Sequence, residues 1–379
     1  MFFISLTAIM SALGLYVALR LIRPLPLSWW LRLALCILVL ACANKVVLLR
    51  WLAPGGVLLK LPYAVLLITA WVHITVVLMF FAGLAADVLG LALRRTGMRL
   101  FTPVSRLAVV GLISALLAGI GIHNAVDVPR VEELRVPVRQ LPADLDGFRI
   151  ALLTDLHLGP LFGEVWMREV VRLVNQADPD LVVFGGDIVD DSPGMLTAAM
   201  APFRQLRAPH GAYVVMGNHE YYAGLEAWKQ AFPALGLRLL LNQHAVIAVQ
   251  QARIVLAGLA DRVTLRGYPG EKPDLDKALA GAPEQDGNTV RIVLEHQPAG
   301  AAENAARGMD VQLSGHTHGG LVLFLQPLVA RFNSGFVSGQ YDVQGMRLIV
   351  SNGTGLWSGM PLRLGVPGQI LILKLAPAE

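Results

Sequence analysis

The chain reads RIALLTDLHLG at residues 149–159, an apolar strand pattern that runs directly into an aspartate and a histidine. Successive side chains of an extended segment point to opposite sides, so Asp155 and His157 share one side and Leu156 takes the other. Loops at the carboxyl ends of strands are where open α/β sheets bind their ligands. The stretch therefore predicts an α/β domain with a polar site at a strand end.

Four further strand patterns end in polar side chains of the same kinds. They are Asp187 after 181–184, Asn218, His219 and Glu220 after 212–216, His296 after 290–294, and His316 with His318 after 309–313. Carboxylates, imidazoles and one amide oxygen, without sulfur, suit Mn, Fe or Zn better than Ca. Any one of these motifs is common in ordinary turns, but all five in order at strand ends predict a metal site.

Together the motifs DxH, GD, GNHE, H and GHxH resemble the signature of the calcineurin-like metallophosphoesterase superfamily over roughly residues 147–375. The resemblance implies a two-sheet β-sandwich flanked by helices, two divalent metal ions, and hydrolysis of phosphate ester or pyrophosphate bonds. It assigns the first metal to Asp155, His157 and His318, a bridging role to Asp187, and the second metal to Asn218, His296 and His316.

The resemblance also implies catalytic roles within the GNHE motif. His219 would contact the phosphate and protonate the leaving group. Glu220 would orient His219, because a carboxylate partner fixes the tautomer of an imidazole. Asn218 would help to stabilise charge on the phosphate oxygens.

The segments that flank the motifs narrow the resemblance to a membrane-linked bacterial branch. The lead-in VPVRQLP at 136–142 and the tail segments SNGTG at 351–355 and RLGVP at 363–367 resemble YaeI- and YkuE-like phosphoesterases. That branch also includes an alternative UDP-2,3-diacylglucosamine pyrophosphate hydrolase. The resemblance therefore includes lipid-linked phosphoesters among the expected substrates.

Other polar residues have weaker assignments. Asp190 and Asp191 are expected to cap a helix or solvate a loop rather than to bind metal. Asp261 is a candidate for lining the site, and Arg363 is a candidate for a bidentate contact to phosphate. Glu295 departs from the branch, which commonly has a small hydroxyl residue there. It either adds negative charge beside the second metal or points away from it.

The first third of the chain is a separate, apolar region. Of the whole sequence 55% is hydrophobic and only 15% is charged, against about 25% charged in soluble proteins. Apolar stretches run over 2–19, 29–49, 62–93 and 107–125, and each reaches the roughly 18 residues that cross a bilayer. We predict about four transmembrane helices in residues 1–125, a linker over 126–146 and a catalytic domain over 147–379.

The distribution of charge indicates a membrane topology rather than a nucleic-acid surface. Residues 1–125 contain ten lysines and arginines and one acid, Asp87, whereas the remainder has 21 basic and 26 acidic residues. The first and third loops contain Arg20, Arg23 and Arg32, and Arg94, Arg95, Arg99 and Arg106. Four spans with these loops inside predict a catalytic domain on the outer face of a bacterial cytoplasmic membrane. If the stretch with Asn44 and Lys45 fails to span, the predicted side reverses.

The favoured function is therefore that of a membrane-anchored dinuclear phosphoesterase that acts on a phosphoester substrate, including lipid-linked ones. One alternative is a phosphoprotein phosphatase, and another is a non-catalytic membrane scaffold with a phosphoesterase fold. No nucleic-acid partner is expected. The sequence leaves the substrate, the native metals and the oligomeric state open.

Overall fold

The structure is a computed structural model that describes residues 2–52, 61–93 and 101–378. It divides into two compact units. The helical unit comprises Met1–Asn124 with Gly359–Leu364, and the sandwich unit comprises Ala125–Ser358 with Gly365–Glu379.

Apolar helices make up the helical unit. They are α1 (Phe2–Val17, continued by a π-helical turn over Ala18–Ile22), α2 (Trp29–Ala43), α3 (Lys45–Leu52), α4 (Tyr63–Leu93) and α5 (Pro103–Val126). Among the described residues, three segments are long and apolar enough to cross a membrane, namely Ser5–Ile22, Tyr63–Leu93 and Pro103–Val126. Arg94, Arg95 and Arg99, on which the predicted topology partly depends, lie outside the described residues.

The second predicted span, 29–49, contains a break, and among the described residues three helices reach spanning length and composition; about four spans remains a prediction. Helix α2 ends at Ala43 after 15 residues, and at about 1.5 Å per residue it is shorter than the roughly 30 Å of hydrocarbon. The Asn44 amide at the break donates to Leu40 O (3.0 Å) and to Ser11 Oγ (3.2 Å). Local bonding of this amide competes with a continuous helix.

An ion cluster joins three segments of the helical unit. Asp87 of α4 accepts a hydrogen bond from Tyr16 of α1 (2.7 Å) and bidentate bonds from Arg20 (2.7 and 2.9 Å). Arg106 of α5 lies 2.6 Å from the same carboxylate. Each charge therefore has an opposite partner, and the cluster holds these helices together.

The sandwich unit contains two six-stranded sheets. Its strands are β1 (Val131–Val138), β2 (Arg149–Leu153), β3 (Leu181–Phe184), β4 (Ala212–Val214), β5 (Arg238–Leu239), β6 (Gln243–Val249), β7 (Ala252–Gly258), β8 (Thr289–Leu294), β9 (Val311–Ser314), β10 (Gly339–Val343), β11 (Met346–Val350) and β12 (Ile370–Pro377). The first sheet has the order β1-β12-β2-β3-β4-β5 and the second has the order β10-β11-β9-β8-β7-β6.

Helices connect and flank these strands. They are α6 (Glu164–Gln176), α7 (Thr197–Met200), α8 (Asn218–Ala234), α9 (Leu275–Leu279), α10 (Ala301–Ala306) and α11 (Gln326–Phe332). Helix α6 is amphipathic and buries one side, with Met167, Val170 and Val174 fully inaccessible. Buried apolar faces of this kind cover the outer side of a sheet, as the α/β prediction requires.

The principal core lies between the two sheets. Leu152 and Val183 of the first sheet share one buried cluster with Leu256, Ile292 and Leu313 of the second. Because both sheets contribute to a single core, the fold is a two-sheet sandwich with flanking helices. The predicted fold class is confirmed.

The segment 126–146, expected to be a linker, contains strand β1. All eight residues of β1 pair in parallel with β12, from Val131 opposite Ile370 to Val138 opposite Pro377. Val136 and Val138 are buried in the sandwich core. This segment is thus part of the first sheet rather than a flexible connection.

Candidate dinuclear metal site

Many of the predicted ligands adopt a strained backbone conformation. Positive φ angles occur at Asp155 (54°), His157 (48°), Asp187 (52°), His316 (71°) and His318 (49°). A non-glycine residue in this region costs on the order of 1–3 kcal/mol and persists where surrounding structure requires it. Five such residues in the predicted site indicate that the positions of their side chains there are maintained despite the energetic cost of backbone strain.

The first ligand group contains Asp155, His157 and His318, whose ligand atoms all lie within 4.8 Å of one another. The Nε2 atoms of His157 and His318 face each other at 3.3 Å. His157 Nδ1 is hydrogen-bonded to Asp190 at 2.8 Å, which leaves Nε2 to present a lone pair to a cation. This group therefore fits a metal ion with nitrogen and oxygen ligands.

The second group contains Asp187, His296 and His316, again within 4.8 Å. His296 Nδ1 donates to Gly185 O at 2.8 Å, and its Nε2 lies 3.2 Å from Asp187 Oδ2. Among the described residues, the buried Asn218 Oδ1 has no hydrogen-bond partner. A buried polar atom without a partner costs about 1–3 kcal/mol, and a bound cation would satisfy it.

Asp187 lies between the two groups, because it also clusters with His157 and His219 within 4.8 Å. A carboxylate with two oxygens at this position can bridge two cations. The residues present therefore fit a pair of divalent ions with mixed nitrogen and oxygen ligands.

Two glycines let the backbone approach the carboxylates closely. A Cβ atom on Gly217 would lie 2.3 Å from Asp187 Oδ1, and one on Gly315 would lie 2.2 Å from Asp155 Oδ2. The loop amides use this proximity, since His219 N donates to Asp187 Oδ1 at 2.8 Å and His316 N donates to Asp155 at 3.1 Å. The glycines of the GNH and GHTH motifs are thus required by the site.

Comparison with known proteins agrees with this geometry. The family model of the calcineurin-like phosphoesterase matches residues 148–320. An uncharacterized metallophosphoesterase of Campylobacter jejuni is 33% identical over 308 residues, which cover 78% of each chain.

The chain belongs to the calcineurin-like phosphoesterase family.

Two further relatives are a protein named as a transmembrane protein and the phosphoesterase YkuE. A transmembrane protein with a metallophosphoesterase domain from Danio rerio is 36% identical over 275 residues, which cover 70% of this chain and 62% of that protein. The metallophosphoesterase YkuE of Bacillus subtilis is 29% identical, over 62% of this chain and 81% of its own length. The chain thus spans less than two thirds of the length of its vertebrate relative.

In this phosphoesterase, Asp190 has a position that the sequence analysis did not assign to it. A single oxygen, Oδ1, accepts from Nδ1 of His157 (2.8 Å) and from Nδ1 of His219 (2.7 Å). Burial opposes the ionisation of Asp190, but the two imidazoles outweigh it and hold the pKa of the carboxyl well below its usual range. Asp190 lies three residues after Asp187 in the sequence, but that spacing alone does not show which side chains it contacts.

Glu220 does not contact the His219 imidazole, which corrects the expected pairing. Its fully buried carboxylate accepts hydrogen bonds from the backbone N–H groups of Asp187 (3.1 Å), Ile188 (2.6 Å), Val189 (3.1 Å) and Gly217 (2.7 Å). Burial and the charge of Asp187 raise the pKa of Glu220 to about 8. Glu220 therefore fixes the loop that carries Asp187, and Asp190 takes the role at the imidazole.

His219 is at the open side of the site, with 19% of its side chain exposed. Burial lowers its pKa, but the carboxylates of Asp187 and Asp190 outweigh this and raise the pKa to about 9. An aromatic group lies beside the ring, with Tyr222 at 5.4 Å and Trp357 at 6.3 Å between ring centroids. Tyr268 extends this aromatic group at 4.9 Å from Tyr222. No sequence motif singles out these aromatic residues.

The Glu295 carboxylate points away from the candidate metal ligands, which is the second of the two alternatives stated for it above. Its buried carboxylate contacts Arg262 (3.1 Å) and Asn304 (2.7 Å). Burial raises its pKa to about 7. Its acidic group therefore belongs to a polar network behind His296.

The structure places the two weaker candidates, Asp261 and Arg363, in different parts of the molecule. Asp261 is buried, and its Oδ1 accepts from Val263 N (2.7 Å) and from Gln297 Nε2 (2.8 Å), next to His296 in sequence. Burial raises its pKa to about 6. Arg363 belongs to the helical unit, where its backbone N–H donates to Gly121 O at 3.0 Å.

Proposed function

We propose that this chain is a membrane-anchored phosphoesterase that uses two divalent metal ions to hydrolyse phosphate ester or pyrophosphate bonds. The observation that supports it best is the arrangement of two ligand groups around Asp187, with His219 held beside them by Asp190. When bound, the two ions would polarise the phosphoryl group, lower the pKa of the attacking water and neutralise developing charge.

The residues have distinct parts in this proposal. Asp155, His157 and His318 would hold one ion, Asn218, His296 and His316 would hold the other, and Asp187 would be shared between them. Asp190 and Gly185 O hold the His157 and His296 rings through their Nδ1 atoms, so that each ring offers Nε2. These contacts place the ligands before any substrate arrives.

His219 is proposed as the proton donor to the leaving group. Its Nδ1 is paired with Asp190, so Nε2 is the atom that can transfer a proton. The carboxylates around it favour the protonated ring, which is the form that a general acid requires.

The decisive experiment measures metal content and hydrolysis on the same purified full-length protein. Detergent-solubilised protein with Mn²⁺ is expected to hold about two ions per chain and to cleave bis(p-nitrophenyl) phosphate. Asp187→Asn is expected to lose both the second ion and turnover. Asp191→Asn is the matched control, since Asp191 accepts from Ser192 N rather than from a site residue. Metal-free, inactive wild-type protein would support the scaffold alternative instead.

We propose lipid-linked phosphoesters as the substrate class. Three helices of spanning length and composition would keep the chain at a bilayer, where such substrates are concentrated. A panel of UDP-2,3-diacylglucosamine, phospholipids and a phosphopeptide, with Asp187→Asn as control, tests this class. Cleavage of the phosphopeptide alone would favour the phosphoprotein phosphatase alternative.

The membrane proposed is the bacterial cytoplasmic membrane, and the number of spans decides the side. Four spans place the sandwich unit on the outer face, as the sequence analysis predicted. Three spans, with the basic loop between α1 and α4 inside, place it in the cytosol. Labelling of intact cells with a membrane-impermeant thiol reagent distinguishes the outer face from the cytosol. The protein for this test carries Ala378→Cys, with Cys36 and Cys42 replaced by alanine.

A further inference from the structure

The sandwich unit has an exposed apolar surface directly after the GHTHGG metal loop. The chain passes from His318 into a 3-10 turn over Leu323–Leu325 and then into α11. Four large apolar side chains there are exposed, namely Leu323 (59%), Phe324 (60%), Leu328 (54%) and Phe332 (74%). We call these four residues the apolar ridge.

The spacing of the apolar ridge is that of one helix face. Leu328 and Phe332 lie four residues apart in α11, so their side chains point to the same side, and Phe324 comes four residues earlier in the preceding 3-10 turn. Large apolar side chains grouped on a surface indicate an interaction site, whereas single ones do not. Val165 on α6, at 79% exposure, is an example of a single one.

Two hydrogen bonds join the GHTHGG loop to the segment 321–338, which contains the apolar ridge. Gln326 Nε2 donates to Gly319 O at 3.0 Å, one residue after His318. At the far end, Thr317 Oγ1, between the two histidine ligands, donates to Val337 O at 2.6 Å. Whatever binds the ridge is therefore held close to the loop that carries His316 and His318.

The charge of the segment indicates its partner. Residues 321–338 contain one charged residue, Arg331, and no acid, and Arg331 lies in the last turn of α11. An exposed apolar helix face with an arginine at its end suits the interface of a bilayer, where anionic headgroups attract a cationic side chain near the surface. The chain's own spanning helices keep such a bilayer permanently available.

We propose that the apolar ridge inserts into the headgroup and upper acyl region of a phospholipid bilayer, next to the metal site. The ridge then acts as a second membrane contact in addition to the spanning helices. A consequence, which rests on the proposed function, is that the site takes phosphoesters from headgroups of the bilayer on which it lies.

A depth measurement tests the insertion without depending on catalysis. Full-length protein lacking Cys36 and Cys42 is labelled with an environment-sensitive fluorophore at Phe332→Cys. It is then placed, one chain per disc, in nanodiscs of phosphatidylethanolamine and phosphatidylglycerol. The emission is expected to shift to the blue and to be quenched by doxyl-labelled lipids. Val165→Cys, equally exposed in the sandwich unit, is the matched control and is expected to show neither effect.

Two outcomes would overturn the proposal. One is a Phe332→Cys label that responds to doxyl lipids no more than the Val165→Cys label does. The other is a blue shift seen only with two chains per disc, which would assign the ridge to contact between copies of the chain.

A kinetic comparison tests the consequence for substrate. The double variant Leu328→Ser/Phe332→Ser is expected to lose roughly tenfold or more of its rate on a substrate held in vesicles. Its rate on soluble bis(p-nitrophenyl) phosphate in detergent should match that of the wild type. Equal losses on both substrates would overturn the proposed link between ridge and substrate. Failure of the proposed function would instead appear as an inactive wild type, with the depth measurement unaffected.

Discussion

Asp190 Oδ1 lies 2.7 Å from His219 Nδ1 and accepts its hydrogen bond. The same oxygen accepts from the metal-ligand candidate His157 at 2.8 Å. One carboxylate therefore sets the orientation of an imidazole in the ligand set and of the proposed general acid. This shared contact makes Asp190 a positioning residue for both metal binding and proton transfer.

Asp190→Asn tests this double role. The asparagine amide is neutral, so its oxygen accepts the two imidazole hydrogen bonds more weakly than a carboxylate does. We therefore expect roughly a 10–100-fold loss in metal affinity or activity. Metal titration and kcat for bis(p-nitrophenyl) phosphate measure the two effects. Asp191→Asn should match the wild type in both. A variant with wild-type affinity and rate would refute the positioning role.

His219→Ala tests the assignment of the general acid. Leaving groups that are poor need a proton, so we expect a loss of about 10²–10⁴-fold with alkyl phosphodiesters. With p-nitrophenyl, a good leaving group, the loss should be much smaller. The measurement is kcat/KM across leaving groups of graded pKa. Equal losses throughout the series would argue that His219 binds the phosphate without donating a proton.

Glu220→Ala tests whether this residue fixes a loop or orients His219. Removal of the carboxylate leaves four backbone N–H groups without their acceptor, so we expect a loss of about 3 kcal/mol or more in stability. Thermal unfolding of the sandwich unit reports this loss. His219→Ala, at a partly exposed position, should unfold close to the wild-type temperature. An unchanged unfolding temperature, with a His219-like kinetic defect, would restore the orientation role to Glu220.

The clustering of the candidate ligands could be predicted from the sequence because each of them follows an apolar strand that can be recognised locally. The structure brings together Asp155, His157 and His318, and likewise Asp187, His296 and His316, as the resemblance implied. The role of Asp190 was not visible because it depends on how two loops run side by side, through the bridge between Leu158 and Val189.

Long-range pairing explains the other differences. Strand β1 has its partner β12 more than 200 residues away. Because that partner is so distant in sequence, the local pattern of 126–146 predicts only a linker. At the break, the Asn44 side chain also donates a hydrogen bond to Ser11 of α1, a long-range contact that periodicity does not reveal. The exposure of Phe332 could not be predicted from the sequence either, because an apolar run predicts burial and only the tertiary structure shows which of its side chains are exposed.

Gly217→Ala tests whether close backbone approach is needed to place the Asp187 carboxylate, which we propose to be shared by the two ions. The added Cβ would lie 2.3 Å from Asp187 Oδ1 and 2.5 Å from Asp187 N, so Asp187 must move away from its place between the ligand groups. We expect fewer than two Mn²⁺ ions per chain after desalting, with loss of activity, measured by elemental analysis and hydrolysis. Gly194→Ala is the matched control, because a Cβ there meets nothing within 4 Å among the described residues. Full metal content in Gly217→Ala would mean that the loop can shift without disturbing Asp187, and the bridging geometry would then not depend on this glycine.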